Sequence, residues 1–214
     1  MRWRTVLFDF DGTLFDTVDG ITKSIQYALR KHGMDAPLEA LRCFAGPPLA
    51  DKFTEVFGVS RAEAEQLVID FRERYVPIGV YESAPFPGIG ELLNRLRGAG
   101  LKLAVATSKP QAMAELLLDR AGLSDRFDAV VGIDPARSNE KKWQIVEKAL
   151  DLLQADRASA VLVGDTKYDA EGAARCGIAC VGARWGYAAP GELEQAGVAV
   201  IAEDFTGLER LLTE

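Results

Sequence analysis

The chain has little of the residues that cross-link small proteins or bind zinc. Its 214 residues include only three cysteines and one histidine, His32. An odd, low number of cysteines is typical of proteins from reducing compartments and argues against a disulfide framework. A structural zinc site needs four convergent nitrogen or sulfur ligands, so Cys176 and Cys180 are interpreted as small buried side chains.

Long apolar runs and an excess of positive charge are also missing. No apolar run approaches the roughly 18 residues of a membrane span, and the first residues lack the apolar stretch of a signal peptide. We therefore expect a cytoplasmic protein with no membrane partner. Acidic residues outnumber basic ones by 32 to 25, a net charge of −7. An acidic chain offers no basic face to a phosphate backbone, so we expect no nucleic-acid partner.

What the chain does have is a globular composition and an alternation of strands and helices. Apolar residues make up 48 % and charged residues 27 %, which is typical of soluble domains. A short apolar run ending in Asp-Gly predicts a buried first strand, and from residue 89 helical patterns alternate with further strands. This alternation predicts an α/β fold, a Rossmann-like parallel sheet with helices on both faces. The predicted strands cover 5–10, 102–107, 129–132, 160–164, 179–183 and 198–202.

Residues 16–83 follow a different pattern. Apolar residues recur at helical spacing in 18–32, and Gly33 is a stop signal. Further helices are predicted at 37–46, at 49–57 and up to residue 75, the last opened by a capping box of Ser60 and Glu63. No strand is evident. The pattern predicts a small all-helical domain inserted after the first strand of a core formed by 1–15 and 84–214.

Carboxylates, hydroxyls and lysines occur at the ends of the predicted strands. They include Asp9, Asp11, Thr107, Ser108, Lys109, Lys141, Lys142, Asp165 and Asp169. Taken singly, an Asp-x-Asp near a turn is usually turn chemistry. Strand ends of a parallel sheet meet at one edge, however, and carboxylates gathered there repel one another unless a cation neutralises them. Mg²⁺ prefers such oxygen ligands and bridges to phosphate, so the cluster predicts Mg²⁺ and a phosphorylated substrate.

The motifs that carry these residues resemble those of a known family. They are DFDGTLFDT at 9–17, TSKP at 107–110, a downstream lysine and GDTKYD at 164–169. In this order they resemble the haloacid dehalogenase superfamily, and the helical insertion is similar to the C1-type cap of its phosphoglycolate phosphatase-like subgroup. The resemblance implies a Mg²⁺-dependent phosphatase that hydrolyses a small phosphomonoester through a phospho-aspartyl intermediate.

The resemblance also implies roles for the acidic motif residues. Asp9 would be the nucleophile and a metal ligand. Asp11 would be the general acid and base, with its main-chain carbonyl as a second metal ligand. Asp165 would coordinate Mg²⁺ and Asp169 would support it. Gly12 would let the backbone approach the phosphate closely.

The remaining roles fall on hydroxyl and lysine side chains. Thr107 would donate a hydrogen bond to the phosphate, with Ser108 as an alternative donor. The third-motif lysine would balance charge among nucleophile, acids and phosphate. Lys142 is preferred for this role and Lys141 is the alternative. Many relatives have proline after this lysine, whereas this chain has Trp143.

Several alternatives stay open at this stage. A 5′-nucleotidase and a β-phosphoglucomutase-like phosphomutase share the motifs, and a non-catalytic binding protein on the same scaffold is a remote third. In the cap, Arg42, Lys52 and the 46–48 turn are candidates for substrate contact, although solvated helix faces and a rigid turn explain them equally well. Hinges are expected near 14–17 and 83–87. We expect a monomer or homodimer whose partner is a small phosphorylated metabolite.

Overall fold

The chain folds into two compact units. The computed structural model describes residues 2–46, 48–134 and 140–214. One unit comprises Met1–Phe15 and Pro85–Glu214, and the other is Asp16–Ala84. We call them the core unit and the inserted unit.

The core unit is built on a parallel sheet. The strands are β1 (Thr5–Phe8), β2 (Phe15–Asp16), β3 (Ala84–Pro85), β4 (Lys102–Pro110), β5 (Ala129–Ile133), β6 (Ala160–Gly164), β7 (Ala179–Ala183) and β8 (Val200–Ala202). Six of them form one sheet in the order β5-β4-β1-β6-β7-β8, and every pairing is parallel. The short strands β2 and β3 pair where the chain passes between the units.

Helices occupy the connections between these strands. They are α1 (Val18–Lys31), α2 (Leu49–Phe57), α3 (Arg61–Tyr75), α4 (Ile89–Gly98), α5 (Gln111–Arg120), α6 (Lys142–Leu153), α7 (Lys167–Arg175), α8 (Glu192–Gln195) and α9 (Phe205–Thr213). The last six belong to the core unit and cover both faces of its sheet, as predicted. In the ranges that the structure describes, each helix is too short or too polar to span a bilayer.

The hydrophobic core lies between the sheet and these helices. All four residues of β1 and all five of β6 are buried, because strands of a parallel sheet have helices against both faces. On one face, Leu7 and Leu162 pack with Ile145 and Leu150 of α6. The sheet therefore holds the ends of β1, β4 and β6 in fixed register, which is what positions the polar residues that follow them.

Several element boundaries differ from the sequence prediction: β1 ends at Phe8 rather than at residue 10, β8 begins at Val200 rather than at 198, and β2 reaches Asp16, where no strand was expected. Two further differences concern candidate site residues. Strand β4 continues to Pro110 rather than ending near 107, because it resumes pairing with β5 after a register shift between Ala106 and Pro110. Helix α7 begins at Lys167 rather than at Asp169, because Thr166 caps it and Asp169 closes a capping box at its third position. The first shift brings Ser108 into a strand, and the second moves Asp169 from the start of a helix to its third residue.

Among the described residues of 17–83, every regular element is a helix, and Pro47 lies outside the described residues. The predicted capping box of Ser60 and Glu63 opens α3, and Gly58, with a φ of 66°, ends α2. The helix expected after Pro37 is a 3₁₀ helix, Leu38–Phe44. Its Phe44 packs against Phe53, with ring centroids 4.9 Å apart.

Candidate active site

The sheet order brings the polar strand ends together. Strand β1 lies between β4 and β6, so Asp9, directly after β1, is flanked by Thr107 in β4 and Asp165 after β6. Strands β4 and β5 lie on one side of β1, and β6, β7 and β8 lie on the other. Such switch points in strand order form the binding crevice of open α/β sheets. The candidate residues from distant parts of the sequence therefore meet at this crevice.

Lys142 joins two of the carboxylates. Its Nζ lies 2.7 Å from Asp9 Oδ1 and 2.7 Å from Asp169 Oδ1, and only 7 % of its side chain is exposed. The stem of this lysine passes Gly172 of α7, where a Cβ would lie 2.9 Å from its Cγ. Lys141 precedes α6 and is exposed. Of the two candidate lysines, the fold brings Lys142 to the acidic cluster.

The charges of this trio shift one another's protonation. Burial raises the pKa of Asp9 from 3.8 to about 6; Asp169 adds to the rise, and Lys142 opposes it. Burial by itself would lower the pKa of Lys142, but the two carboxylates outweigh burial and raise it above its ordinary value. The lysine is therefore held in its charged form beside the nucleophile candidate.

Asp165 is clamped from four sides. Thr13 donates its hydroxyl to Oδ1 at 2.9 Å, and the main-chain N–H of Tyr187 donates to Oδ2 at 2.8 Å. A Cβ on Gly12 would lie 2.2 Å from Oδ2, and one on Gly186 would lie 2.1 Å from the Asp165 Cβ. Burial and the neighbouring Asp169 and Asp9 raise the pKa of Asp165 well above its ordinary value. The two hydrogen bonds and the two close glycines hold the carboxylate in its orientation.

Asp169 is held as tightly from its own helix. Its Oδ2 accepts hydrogen bonds from the Thr166 N–H at 3.1 Å and the Thr166 hydroxyl at 2.9 Å. Its Oδ1 faces Lys142. A Cβ at Gly164 would lie 2.2 Å from Asp169 Cγ, so glycine is required there for the carboxylate to approach β6. Both oxygens are engaged within the protein, which fits a supporting role.

The acidic cluster has the composition of a site for a hard dication. Asp9, Asp165 and Asp169 each offer a carboxylate oxygen, and these atoms lie within 4.8 Å of one another. When all four carboxyl groups are ionised, Asp11 included, they exceed the two buried ammonium groups of Lys142 and Lys109 by two negative charges. A single Mg²⁺ would neutralise them, and oxygen donors are the ligands it prefers. The residues present therefore fit the metal that the sequence predicts.

The second strand end contributes differently from what the sequence suggests. Thr107 is buried, and its Oγ1 accepts a hydrogen bond from the Lys109 N–H at 3.1 Å, while Ser108 is exposed. Lys109, which the sequence places at this strand end without an individual role, reaches Asp11, with Nζ 2.8 Å from Oδ1. The sequence contains a signal for this position, because Lys109 lies two residues after Thr107, and residues two apart on a strand share a face.

A second contribution that sequence reasoning missed is the loop after β7. Tyr187 binds Asp165 through its main chain, and the Trp185 indole donates to the Thr13 carbonyl at 3.1 Å. In the sequence, the only indication of this role is that the loop follows β7, a predicted strand that directly succeeds β6 and ends at the same edge of the sheet.

The cap candidates have local partners within the inserted unit. Arg42 lies 3.8 Å from Glu39, and Lys52 lies 2.9 Å from Glu55. In the 46–48 turn, Pro47 lies outside the described residues. Nε2 of His32 lies 2.7 Å from Oδ2 of the buried Asp70. No role in substrate binding follows from these contacts.

Replacing Gly12 tests how strictly Asp165 is placed. Gly12 has a φ of 80°, and its Cβ position overlaps Asp165, whereas Gly177 has a φ of 67° and open space around it. We expect Gly12→Ala and Gly177→Ala to lose comparable backbone stability, about 1–2 kcal/mol. Only Gly12→Ala should also lower activity and weaken metal binding, because Asp165 must move. Thermal unfolding and Mg²⁺ titration of both variants check this; equal metal affinity in both would contradict a close fit at Asp165.

Comparison with known proteins places this geometry in one family. The family model described as haloacid dehalogenase-like hydrolase matches residues 6–183. A predicted phosphatase from Clostridium acetobutylicum has a crystal structure that superposes with a TM-score of 0.94 at 32 % identity, with 99 % of each chain covered.

Curated relatives are similar over most of the chain. A 5′-nucleotidase from Pseudomonas aeruginosa is 36 % identical, covering 99 % of this chain and 96 % of its own. A phosphoglycolate phosphatase from Caulobacter vibrioides is 34 % identical, covering 86 % and 80 %. The tyrosine-protein kinase PtkA from Mycobacterium tuberculosis is 34 % identical, covering 94 % and 69 %. Each of these relatives is named for an activity that transfers or hydrolyses phosphate groups.

Proposed function

Because the chain belongs to the haloacid dehalogenase-like hydrolase family, we propose that it is a Mg²⁺-dependent phosphatase that hydrolyses a small phosphomonoester through a phospho-aspartyl intermediate on Asp9. The observation that carries the proposal is the pairing of two adjacent carboxylates with separate buried lysines: Asp9 with Lys142 and Asp11 with Lys109. A nucleophile and a proton donor two residues apart are what phosphate transfer to and from a carboxylate requires.

The proposed reaction has two halves. In the first, a carboxylate oxygen of Asp9 attacks phosphorus, the bond from phosphorus to the substrate oxygen breaks, and Asp11 donates its proton to that oxygen so that an alcohol leaves. In the second, the Asp11 carboxylate takes a proton from water as the water oxygen attacks phosphorus. The bond to Asp9 breaks, inorganic phosphate leaves, and the Asp9 carboxylate is regenerated.

Other residues of the site bind and balance charge. Thr107 donates its hydroxyl to a phosphate oxygen in this proposal, with the exposed Ser108 as a second donor, and Gly12 allows the backbone close to the phosphate. Lys142 lowers the repulsion between the Asp9 carboxylate and the incoming anion. Its burial strengthens the effect, because a charge removed from water acts through a lower dielectric.

The metal would be held by Asp9, the main-chain carbonyl of Asp11 and Asp165, with Asp169 in support. When bound, Mg²⁺ supplies positive charge that lets an anionic nucleophile approach an anionic phosphate. The support from Asp169 is indirect in this scheme, because its oxygens already contact Lys142 and Thr166.

The inserted unit is proposed to be the cap domain, with hinges near 14–17 and 83–87. The physiological substrate is proposed to be a small metabolite of the phosphoglycolate type. A 5′-nucleotidase is the second candidate, favoured by the relative from P. aeruginosa that spans nearly the whole chain. The cytoplasmic location and a monomeric or homodimeric state stay predictions from the sequence.

Phosphate release from a panel of phosphorylated compounds tests both the reaction and its metal. The panel contains phosphoglycolate, nucleoside monophosphates, sugar phosphates and pyrophosphate, with Asp9→Asn as the blank. We expect release from at least one ester with Mg²⁺, its loss with a chelator, and poor substitution by Ca²⁺, which prefers more ligands and looser geometry. Equal rates with Ca²⁺, or no release from any ester, would count against the proposal, and a preferred nucleoside monophosphate would favour the second candidate.

A further inference from the structure

The contact between Lys109 and Asp11 joins the second strand end to the proposed proton donor. Their atoms Nζ and Oδ1 are 2.8 Å apart, and the side chains are 3 % and 17 % exposed. A buried ammonium without a partner is strongly unfavourable, so a lysine is found at such a position where a carboxylate faces it. The pair links residues that are 98 positions apart in the sequence.

The local backbone directs Lys109 inward. Thr107 and Lys109 are buried and Ser108 between them is exposed, as expected for alternate residues of a strand. The Lys109 N–H is bound to Thr107 Oγ1, and β4 is irregular here, because its register with β5 shifts between Ala106 and Pro110. Such irregularities re-aim side chains near active sites.

Two further contacts keep this arrangement in place. A Cβ on Gly132 of β5 would lie 2.6 Å from the Lys109 carbonyl oxygen, so glycine is needed for the two backbones to approach. On the other side, Lys109 Nζ lies 5.5 Å from the centre of the Phe10 ring, and Phe10 is stacked on Phe15. The main chain of Lys109 is therefore held close to β5, and its ammonium lies near the Phe10 ring.

We propose that Lys109 is a positioning residue that holds Oδ1 of Asp11, so that Oδ2 is the oxygen that passes the proton to the leaving group and takes it from water. An ammonium has three donors and no acceptor, so the oxygen facing it cannot hand a proton in that direction. Anchoring one oxygen also restricts the rotation of the carboxyl group, which leaves the other oxygen for the proton transfer. The inference rests on the proposed function, since it assigns Lys109 to the proton step of that reaction.

The leaving group distinguishes this role from a structural one. An aryl phosphate such as 4-nitrophenyl phosphate loses an acidic phenol and needs little protonation, whereas glycerol phosphate loses an alkoxide that must be protonated. For each protein we measure the single-turnover rate of alcohol release from both esters and take their ratio. A partly unfolded sample lowers the amplitude with both esters alike, and a lost positive charge near the phosphate slows both, so neither resembles a loss confined to the ester that needs a proton.

The variants are Lys109→Met, Lys109→Arg and, as a control from the exposed start of β4, Lys102→Met. In Lys109→Met we expect the glycerol phosphate rate to fall about tenfold to a hundredfold more than the aryl rate, since a general acid contributes about 10²–10⁴. Lys109→Arg, which retains the charge and the donors, should restore most of the ratio. Lys102→Met should leave it unchanged.

A double-mutant cycle with Asp11→Asn decides whether Lys109 acts through Asp11. In the Asp11→Asn background, adding Lys109→Met should not change the ratio further. An unchanged ratio in Lys109→Met, or the same change in both backgrounds, would overturn the inference. If the unmodified protein releases no alcohol from either ester while Mg²⁺ is present, the proposed function itself fails, and the inference fails with it.

Discussion

Asp9→Asn is expected to abolish phosphate release while leaving the fold intact. Asparagine has nearly the shape of aspartate but is not a carboxylate nucleophile, so we expect a loss of at least about a thousandfold in kcat. The fold should tolerate the change, because burial disfavours the charged form of Asp9 and raises its pKa to about 6. Lys142 also keeps Asp169 as a partner.

The measurement is a time course of phosphate release together with thermal unfolding. Asp125→Asn is the matched control, since its carboxylate is 70 % exposed on the surface of the core unit. In single-turnover experiments with labelled substrate, the unmodified protein should form a phosphoprotein. Hydroxylamine should cleave it, as it cleaves other acyl phosphates, and Asp9→Asn should form none. Turnover in Asp9→Asn within tenfold of the unmodified protein would rule out the phospho-aspartyl mechanism.

Lys142→Met is expected to damage both activity and stability. The methionine side chain fills the path beside Gly172, but it leaves the Asp9 and Asp169 carboxylates without their shared ammonium. Removing one partner from a buried charge cluster destabilises proteins by about 3–5 kcal/mol. For activity we expect a loss of at least about a hundredfold, because the anionic nucleophile then meets the anionic phosphate without compensation.

The pH dependence gives the prediction a definite sign. Lys142 lowers the pKa of Asp9, so its removal raises that pKa above about 6. The nucleophile must be ionised, and the acid limb of the kcat/KM profile should therefore move to higher pH. In the folded variant Asp9 then binds a proton that the unfolded chain has already lost, so stability falls as pH rises from about 4 through the raised pKa. The deficit relative to the unmodified protein should be larger at pH 7.5 than at pH 5.

Lys141→Met is the control for this pair, because Lys141 is adjacent, carries the same charge and is exposed. We expect its activity to stay within about twofold and its stability within about 0.5 kcal/mol, as for most surface substitutions. Activity profiles and unfolding curves of the two variants at both pH values check the prediction. If Lys141→Met were the more damaging change, Lys142 would not be the third-motif lysine.

The ends of β1 and β6 show which features of the fold the local sequence can predict. Asp9 and Asp165 each follow a short apolar run, and a run of that kind is readable as a buried strand without any tertiary information. Alternation of strands and helices then requires parallel strands, and parallel strands place such residues at one edge. The α/β fold and the gathering of carboxylates could therefore be predicted, and the structure has both.

Side-chain direction could not be predicted in the same way. Lys141 and Lys142 are the same residue type at neighbouring positions. Only the start of α6 and its packing against α7 decide which of the two ammonium groups enters the cluster. Asp169 was placed at the start of a helix, whereas it closes the capping box of α7 two residues after the helix begins. One residue along a helix rotates a side chain by about 100°, so small boundary errors exchange inside for outside.

The sequence by itself determined the class of fold, the helical insertion and the acidic motifs, because these depend on periodicity and on residues a few positions apart. The tertiary structure alone decided which partners each carboxylate has. Thr13 with Asp165, Tyr187 with Asp165 and Lys109 with Asp11 join positions 152, 22 and 98 residues apart. Such contacts arise from strand order and register, which bring distant segments to hydrogen-bonding distance, and no local pattern in the chain encodes them.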